Sequence, residues 1–247
     1  MNDDKKVALV TGASRGIGRA IAEQLASDGF LVVGTATTEA GAAAISEYLR
    51  EGRFDGCGMT LDVADQAAVE KVVKGIGEQF GAPLVLVNNA GITRDNLLMR
   101  MKTDEWQAVI DTNLSAVYRV SKACLRGMTK ARWGRIVNIT SVVGAMGNAG
   151  QSNYAASKAG VEGFSRALAR EIGTRAVTVN CVAPGFIDTD MTRALSDEQR
   201  QAMLSQIPLE RLGEAEEIGA LVGFLCREQA GYITGETIHI NGGMNMA

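Results

Sequence analysis

Short apolar segments alternate with longer amphipathic segments along the whole chain. Seven short segments have the apolar, β-branched composition of buried strands, at residues 7–10, 30–33, 57–61, 84–87, 135–139, 177–182 and 236–240. Longer segments between them repeat apolar positions at helical spacing, at residues 16–28, 40–50, 66–80, 103–130, 153–173 and 214–226. Strands that alternate with helices predict an α/β fold, in which a parallel sheet is covered by helices on both faces.

The turn after the first strand helps to choose between two topologies that this order allows, an open sheet and a closed barrel of eight repeats. It reads Thr11-Gly12-Ala13-Ser14-Arg15-Gly16-Ile17-Gly18 and runs directly into the first helix. Glycines let the backbone approach a pyrophosphate, and a helix N-terminus offers free N–H groups. Three residues separate the first two glycines, so the spacing is neither the usual G-x-G-x-x-G nor a P-loop. A phosphate-binding turn at this position favours the open dinucleotide-binding sheet.

Length and composition indicate a single domain, residues 1–247. The chain is 46% hydrophobic and has no internal repeat, low-complexity segment or linker. The least regular stretch, residues 185–213, follows Pro184-Gly185. Its length and position predict a mobile segment that covers the substrate.

Charge and apolar content argue against several classes of protein. The net charge of −3 disfavours a nucleic-acid-binding protein with a broad basic face. No apolar stretch approaches the roughly 20 residues that span a bilayer, and the N-terminus has no apolar signal core, so we expect a cytoplasmic protein without a membrane anchor. The four cysteines are scattered along the chain, and no metal site is predicted. The only histidine, His239, lies in a strand-like segment, where a structural role is expected.

The pair Tyr154 and Lys158 is the strongest catalytic candidate. Residues four apart share one face of a helix. A free tyrosine has a pKa of about 10, and a neighbouring ammonium lowers the pKa of a phenol by stabilising its phenolate. The pair can therefore move a proton to or from an alcohol oxygen. The alternative is a chance pair on a surface helix.

Other polar residues follow the ends of predicted strands, where open α/β sheets bind ligands. Asn89 follows the fourth strand and either holds the backbone at a cofactor or forms a simple Asn-Gly turn. Ser141 follows the fifth strand and either donates a hydrogen bond to a carbonyl oxygen or belongs to an ordinary turn. Asn113 lies within an apolar helical segment; it is either exposed to solvent or buried, and a buried amide there predicts a local helix distortion with bound water.

These motifs together resemble the short-chain dehydrogenase/reductase family over nearly the whole chain. They are Thr11-Gly12-x-x-x-Gly16-x-Gly18, Asn88-Asn89-Ala90-Gly91, Asn113, Ser141, Tyr154-x-x-x-Lys158 and Pro184-Gly185. The resemblance implies a single-domain Rossmann fold with a seven-stranded parallel sheet, assembled as a homotetramer. It assigns Tyr154 as the catalytic acid/base and Ser141 as the residue that orients the carbonyl. It implies that Lys158 lowers the pKa of the tyrosine and binds the nicotinamide ribose, and that Asn113 holds a water linking Lys158 to solvent.

The end of the second strand indicates which dinucleotide binds. An acid at this place usually binds the ribose 2′-OH of NAD, but here the chain runs through Thr37 and has no acid before Glu39. A carboxylate would repel a 2′-phosphate, whereas Arg15 in the glycine turn is suited to it. We therefore expect NADP(H), with Arg15 and Thr37 contacting the 2′-phosphate. The full set of expected cofactor contacts, several of them implied by the resemblance alone, is Gly12, Ala13, Ser14, Arg15, Gly16, Ile17, Gly18, Thr37, Asp62, Val63, Asn89, Ala90, Gly91, Tyr154, Lys158, Pro184, Gly185 and Ile187.

Residues 90–102, 191–195 and 232–244 are similar to one branch of this family, which reduces 3-oxoacyl groups carried by acyl carrier protein in bacterial fatty-acid synthesis. The resemblance implies an acyl carrier protein thioester as substrate. Such a carrier is acidic, so local basic residues must bind it. Arg132 and Arg175, with Lys130, are the candidates; the alternative is ordinary solvated charge. An acetoacetyl-CoA reductase or another NADP-dependent short-chain alcohol dehydrogenase is the alternative activity, and a non-catalytic member is disfavoured by the intact Ser, Tyr, Lys and Asn set.

Overall fold

The computed structural model describes residues 5–188, 198, 201 and 204–246. A seven-stranded parallel sheet forms its centre, in the order β3-β2-β1-β4-β5-β6-β7. The strands are β1 Val7–Val10, β2 Leu31–Ala36, β3 Gly56–Thr60, β4 Pro83–Asn88, β5 Gly134–Ile139, β6 Val177–Pro184 and β7 Thr237–Ile240. All seven predicted strands are confirmed, and the open strand order excludes the closed barrel.

Helices cover both faces of this sheet. They are α1 Gly16–Ser27, α2 Glu39–Glu51, α3 Gln66–Gln79, α4 Thr103–Ile110, α5 Ala116–Ala131, α6 Val142–Met146, α7 Ser152–Ile172 and α8 Ala215–Cys226. One buried apolar cluster packs α1, α2 and α8 against one face, and a second packs α3, α5 and α7 against the other. This arrangement confirms the predicted α/β class. None of the helices in the described ranges is long and apolar enough to cross a membrane.

The helix predicted at 103–130 is interrupted. A π-helical turn, Asp111–Ser115, separates α4 from α5. Asn113 lies in this turn with 1% of its surface exposed, and its amide is hydrogen-bonded to both backbone groups of Ile92. The predicted distortion and burial are therefore confirmed, and the solvated alternative is wrong. Isolated π turns of this kind are frequent at functional sites.

The glycine turn between β1 and α1 is held by the end of β4. The Asn89 side-chain amide donates to the carbonyls of Thr11 and Gly12, each at 3.0 Å. A Cβ on Gly18 would lie 2.1 Å from the Gly12 oxygen, so no larger residue fits without moving the turn. Gly12 itself has a φ of +67°, a conformation that glycine adopts readily. Close backbone packing thus explains why residue 18 is glycine, and the positive φ explains why residue 12 is glycine.

The two ends of the segment predicted to cover the substrate, residues 185–213, lie together. Ile187 forms an isolated parallel bridge with Gly213, and the Asp188 N–H donates to the Gly213 carbonyl at 2.8 Å. Residues 189–197, 199–200 and 202–203 lie outside the described residues, and with them the sequence motif at 191–195. The mobility of this segment, and the assignment of residues 1–247 to one domain, stay predictions.

Candidate active site

A cleft of about 1170 Å³ opens at the carboxyl edge of the sheet. It lies between the glycine turn, the ends of β2, β3 and β4, and the start of α8. Most of the predicted cofactor contacts line this cleft. They are Gly12, Ser14, Arg15, Gly16, Ile17, Gly18, Thr37, Asp62, Val63, Asn89, Ala90 and Gly91. The carboxyl edge of β1 and β4, where the strand order reverses, is the expected ligand crevice of such a sheet.

The remaining predicted contacts do not line this cleft. Ala13 is fully buried; its N–H donates to the Thr35 carbonyl at 2.9 Å and its own carbonyl accepts from the Tyr48 hydroxyl. Ala13 therefore packs inside the turn and does not form part of the cleft wall. Tyr154, Lys158, Pro184, Gly185 and Ile187 lie outside the lining, on α7 and at the end of β6.

The cleft fits the pyrophosphate of a dinucleotide. Arg15, which precedes α1, makes no side-chain hydrogen bond to cap the helix, and the first turn carries no acidic residue. The first N–H groups of a helix need partners, and an anion supplies them. At the end of β2 the cleft is lined by Thr35, Thr37 and Thr38, whereas Glu39 begins α2 and is not part of the lining. Hydroxyl groups therefore stand where an NAD-binding carboxylate would be expected.

The predicted catalytic pair, Tyr154 and Lys158, lies on the buried side of α7. The Lys158 Nζ is 5.5 Å from the centre of the Tyr154 ring and donates to the Ile139 carbonyl, at the end of β5, at 2.8 Å. Only 5% of Lys158 is exposed. The predicted shared face is confirmed, and the alternative of a chance pair on a surface helix is wrong. A Cβ on Gly91 would lie 3.7 Å from this Nζ, so the pair adjoins the cleft.

Burial controls the pKa of both groups. Desolvation raises the pKa of Tyr154 above its usual value, with the nearby Asp95 adding to the rise and a hydrogen bond from Ser141 opposing it. Desolvation also lowers the pKa of Lys158 to about 8. The net shift of the Tyr154 pKa is therefore the reverse of the expected lowering, because burial outweighs the effect of the Lys158 ammonium, which faces the ring and the Ile139 carbonyl. Tyr154 is protonated at neutral pH, the state that a general acid needs.

Ser141 is held beside the phenol by a short helix. It precedes α6, and its Oγ accepts a hydrogen bond from the Val143 N–H at 3.2 Å. This contact leaves its own proton to donate, and the Ser141 hydroxyl is near enough to Tyr154 to oppose the rise of the tyrosine pKa. The arrangement can deliver two hydrogen bonds to one oxygen atom, as the reduction of a carbonyl requires.

A family model described as enoyl-(acyl carrier protein) reductase matches residues 12–245 of the chain. The chain belongs to the short-chain dehydrogenase/reductase family. It is therefore an oxidoreductase, and membership implies a nicotinamide cofactor. The predicted family, fold and enzyme class are confirmed.

Three curated relatives carry a different description from that of the family model. A 3-oxoacyl-[acyl-carrier-protein] reductase of Pseudomonas aeruginosa is 64% identical over 242 residues, 98% of each chain. Proteins of the same name from Vibrio harveyi and Escherichia coli are 63% and 62% identical over 246 residues, 100% of each chain. The whole length of this short-chain dehydrogenase/reductase is thus shared with proteins of that name.

Two buried residues that the sequence did not single out connect the catalytic helix to its surroundings. Ser157, fully buried, accepts from the Asn113 amide at 3.3 Å and donates to the Tyr154 carbonyl at 2.7 Å. Asn153, also fully buried, donates to the Arg94 carbonyl at 2.9 Å and accepts from the Tyr154 N–H at 2.8 Å. Both flank Tyr154 closely in sequence, and asparagine at a helix start often bonds to the backbone. These two features of the sequence, the proximity to Tyr154 and the asparagine at a helix start, could have identified Asn153 and Ser157 as candidates.

The predicted carrier-binding arginines lie together but far from the cleft. Arg132 follows α5 and its Nη2 donates to the Thr174 carbonyl at 3.4 Å, which places it next to Arg175. Both side chains are exposed. They precede β5 and β6, so they lie at the amino edge of the sheet, opposite Tyr154.

We predict that Lys158→Met stabilises the enzyme at neutral pH while removing activity. The native pKa of about 8 is below that of a free lysine, so protonation favours the unfolded chain. The free-energy cost of burying the charged Lys158 is fully present below pH 8. It disappears as the pH rises towards about 10.4, the pKa of lysine in the unfolded chain. Thermal denaturation should show a higher Tm at pH 7, by about 2–4 °C for each kcal/mol gained. The gain should shrink at pH 9.5. A lower Tm at both pH values would show instead that the ammonium stabilises the fold.

Proposed function

We propose that this enzyme uses NADPH to reduce 3-oxoacyl-[acyl carrier protein] to 3-hydroxyacyl-[acyl carrier protein] in fatty-acid synthesis. The observation that carries the proposal is the placement of Tyr154 and Lys158 on one buried helix face that adjoins a dinucleotide-sized cleft. The full-length identity of 61–64% with proteins named for this reaction supports the substrate class.

Each side chain of the catalytic set has one task in this reaction. When bound, NADPH supplies the hydride that reaches C3 of the oxoacyl group. Ser141 donates a hydrogen bond to the C3 oxygen, where negative charge develops. Tyr154 transfers its proton to that oxygen as the general acid. The positive charge of Lys158, beside the Tyr154 ring, stabilises the phenolate that remains.

The positions around this set support the remaining assignments. Lys158 and Asn113 both adjoin Gly91, since a Cβ there would lie 3.2 Å from the Asn113 Oδ1. We assign Lys158 to the nicotinamide ribose on this basis, and Asn113 to the water that returns a proton through Lys158. Gly185 and Ile187 follow β6 directly, and with Pro184 we assign them to the nicotinamide end of the cofactor.

The choice of NADPH rests on the end of β2. Arg15 and Thr37 are both exposed and both line the cleft. A guanidinium and a hydroxyl are suitable partners for a 2′-phosphate. Asp62 and Val63 line the same region after β3, next to the expected adenine.

The two descriptions, enoyl reductase and 3-oxoacyl reductase, imply that different bonds are reduced. An enoyl reductase reduces a C=C bond, and a 3-oxoacyl reductase reduces a C=O bond. We expect NADPH oxidation with a 3-oxoacyl thioester of acyl carrier protein to exceed that with the matching 2-enoyl thioester by about 10²-fold or more in kcat/KM. Ser141 and Tyr154 serve a ketone oxygen that receives the proton, whereas a 2-enoyl thioester receives its proton on carbon. Equal or greater activity on the enoyl thioester would contradict the proposal. The same 3-oxoacyl group on coenzyme A provides the control: a preference for it would indicate the acetoacetyl-CoA reductase alternative.

Tyr154→Phe should abolish reduction and leave NADPH binding intact, since only the phenolic oxygen and its proton are removed. General acid catalysis contributes roughly 10²–10⁴-fold, so kcat should fall by that factor. Steady-state kinetics measure the loss, and NADPH fluorescence titration shows whether the cleft is preserved. If more than a few per cent of kcat survives with the cleft intact, another group supplies the proton.

Thr37→Asp should move cofactor preference from NADPH towards NADH, because a carboxylate repels the 2′-phosphate. We expect the ratio of kcat/KM values to fall by about tenfold or more, equivalent to about 1.4 kcal/mol. Thr37→Asn is the matched control, because it has nearly the same size as aspartate and no charge. An unchanged ratio in Thr37→Asp, or an equal change in Thr37→Asn, would remove repulsion as the explanation.

We also propose that Arg132 and Arg175 bind the acidic carrier protein. Charge reversal at either residue should lower kcat/KM for carrier-bound substrate far more than for an N-acetylcysteamine thioester. The difference should diminish as salt is raised, because exposed charges act mainly on association. Arg50→Glu, at the end of α2 on the other face of the sheet, is the matched control. Equal losses on both substrates would assign the two arginines to stability rather than docking.

A homotetramer is the assembly that we propose, and a cytoplasmic location stays a prediction. Most of the large exposed apolar side chains among the described residues lie in two separate regions, as two kinds of two-fold contact would require. Leu97, Leu98, Met99, Trp106 and Tyr118 lie on or before α4 and α5, and Phe224, Tyr232 and Met246 lie near α8 and β7. Light scattering should give four times the chain mass of 26.1 kDa.

A further inference from the structure

Two short backbone stretches form a wall between the cofactor cleft and a small cavity. The first residue of each stretch, Ile187 or Gly213, lines the cavity, which has a volume of about 90 Å³. The residue that follows each of them, Asp188 or Glu214, lines the cleft. The Asp188 N–H donates to the Gly213 carbonyl at 2.8 Å, so the two stretches are hydrogen-bonded to each other. We call these four residues the paired wall.

An ion pair flanks the paired wall. Arg211 lies two residues before Gly213, and Glu217 lies in the first turn of α8, three residues after Glu214. The Arg211 Nη1 and Nη2 donate to the two carboxylate oxygens of Glu217 at 2.8 and 2.7 Å. The Oε2 atom of Glu217 also accepts from the Glu214 N–H at 2.8 Å. One carboxylate therefore binds both the chain before the paired wall and the wall itself.

The backbone before Arg211 is held in an unfavourable conformation. Glu210 has a φ of +53°, in the left-handed region that is costly for residues other than glycine. Its N–H donates to the Ile207 carbonyl at 2.8 Å, and the Leu209 N–H donates to the Gly242 carbonyl at 3.1 Å. Such strain persists only where surrounding contacts hold it. These contacts fix the position from which the Arg211 side chain reaches Glu217.

The ion pair is better suited to fixing a position than to stabilising the fold. The side chains of Arg211 and Glu217 are 53% and 37% exposed. Exposed ion pairs contribute little to the free energy of unfolding, but a bidentate contact between guanidinium and carboxylate specifies a direction. Hydrogen bonds from Arg211 lower the pKa of Glu217 to about 2, so the carboxylate is charged at neutral pH.

We propose that Arg211 and Glu217 are positioning residues for the nicotinamide half of the cofactor. The inference rests on the function proposed above, which assigns Ile187 to that half. Both residues line the cavity rather than the cleft, so they act through the paired wall. The cavity leaves space into which the wall can shift when the ion pair is lost. Such a shift would draw the wall away from the nicotinamide and leave the glycine turn and the end of β2 in place.

Binding of two ligands tests this role without turnover. NADPH carries both halves of the cofactor, whereas adenosine 2′,5′-bisphosphate has the adenine and the 2′-phosphate but no nicotinamide. Arg211→Met and Glu217→Gln should each raise the Kd for NADPH by about tenfold, the factor that a typical lost hydrogen bond represents. The Kd for the bisphosphate should stay within about twofold of the wild-type value, because its site is not part of the wall. Isothermal titration calorimetry measures both constants, and circular dichroism shows that each variant is folded.

Arg227→Met is the matched control. Arg227 follows the last residue of α8, and its Nη2 donates to the Asp28 Oδ1 at 2.7 Å, so this variant removes an ion pair from the other end of the same helix. It should change neither dissociation constant. Equal weakening of both ligands by the variants of Arg211 and Glu217, or weakening of neither, would overturn the proposal. So would an equal loss of NADPH affinity in Arg227→Met. Either Arg211→Met or Glu217→Gln decides the question if the other does not fold.

Turnover separates failure of this inference from failure of the proposed function. If the wild type binds NADPH but does not reduce a 3-oxoacyl thioester, the proposed reaction is wrong, and the binding test still decides the role of the ion pair. If the wild type binds NADPH no more tightly than the bisphosphate, the nicotinamide assignment is wrong and the inference fails with it. At saturating NADPH, the pH profile of kcat should keep its wild-type midpoint in Glu217→Gln, because Tyr154 and Lys158 are unchanged. A shifted midpoint would show that the ion pair acts on those two residues instead, contrary to the proposal.

Discussion

The hydrogen bond from the Lys158 ammonium to the Ile139 carbonyl is the contact on which the site depends. It joins α7 to the carboxyl end of β5 at 2.8 Å and holds a cation that is 95% buried. Burying a charge is unfavourable unless polar groups surround it, and this cost appears as a lysine pKa lowered to about 8. Tyr154, four residues earlier, is drawn into the same desolvated region, so its phenol stays protonated. This contact therefore fixes the geometry of the candidate catalytic pair, and burial of the same region shifts the pKa of both residues.

A buried polar network beneath this contact aligns the elements that carry the site. Asn88 and Asn138 are register partners on β4 and β5, and the Asn88 amide donates to the Asn138 oxygen at 2.8 Å. Asn88 also donates to Ser121 on α5, and Asn138 donates to Ser165 on α7. These four residues are at most 6% exposed. A fully bonded buried network strongly favours one alignment over shifted ones, so it keeps α5, α7 and both strands in a single relative position.

The polarity of the parallel sheet separates the candidate active site from a group of exposed basic residues. Every strand ends at the same edge, where the glycine turn, Ser141 and the cofactor cleft lie together. The helices return the chain to the other edge, where their ends present exposed basic residues. The candidate catalytic set and the exposed Arg132 and Arg175 are thereby placed about one helix length apart by topology alone.

The sequence by itself determined the features that depend on neighbouring residues. Apolar segments marked all seven strands, the glycine spacing marked the turn before α1, and the Tyr154–Lys158 spacing marked one helical face. The sequence also showed directly that no acidic residue follows β2 before Glu39, the feature from which NADP(H) was expected. Asn113 was recognised as a candidate for a distorted helix because an amide in an apolar segment needs partners.

Only the tertiary structure decided the features that depend on residues distant in the chain. Asn113 finds its partners at Ile92, 21 residues away, and Arg132 meets Thr174 across 42 residues. The five-residue helix α6 is too short to produce a periodic pattern, and it forms where Ser141 can cap it. The direction of the Tyr154 pKa shift was expected wrongly because sequence spacing records that a lysine is near but not how much water surrounds the pair. Desolvation and long-range hydrogen bonding arise only when the strands have taken their order, so the electrostatics of the site belong to the fold rather than to any segment of it.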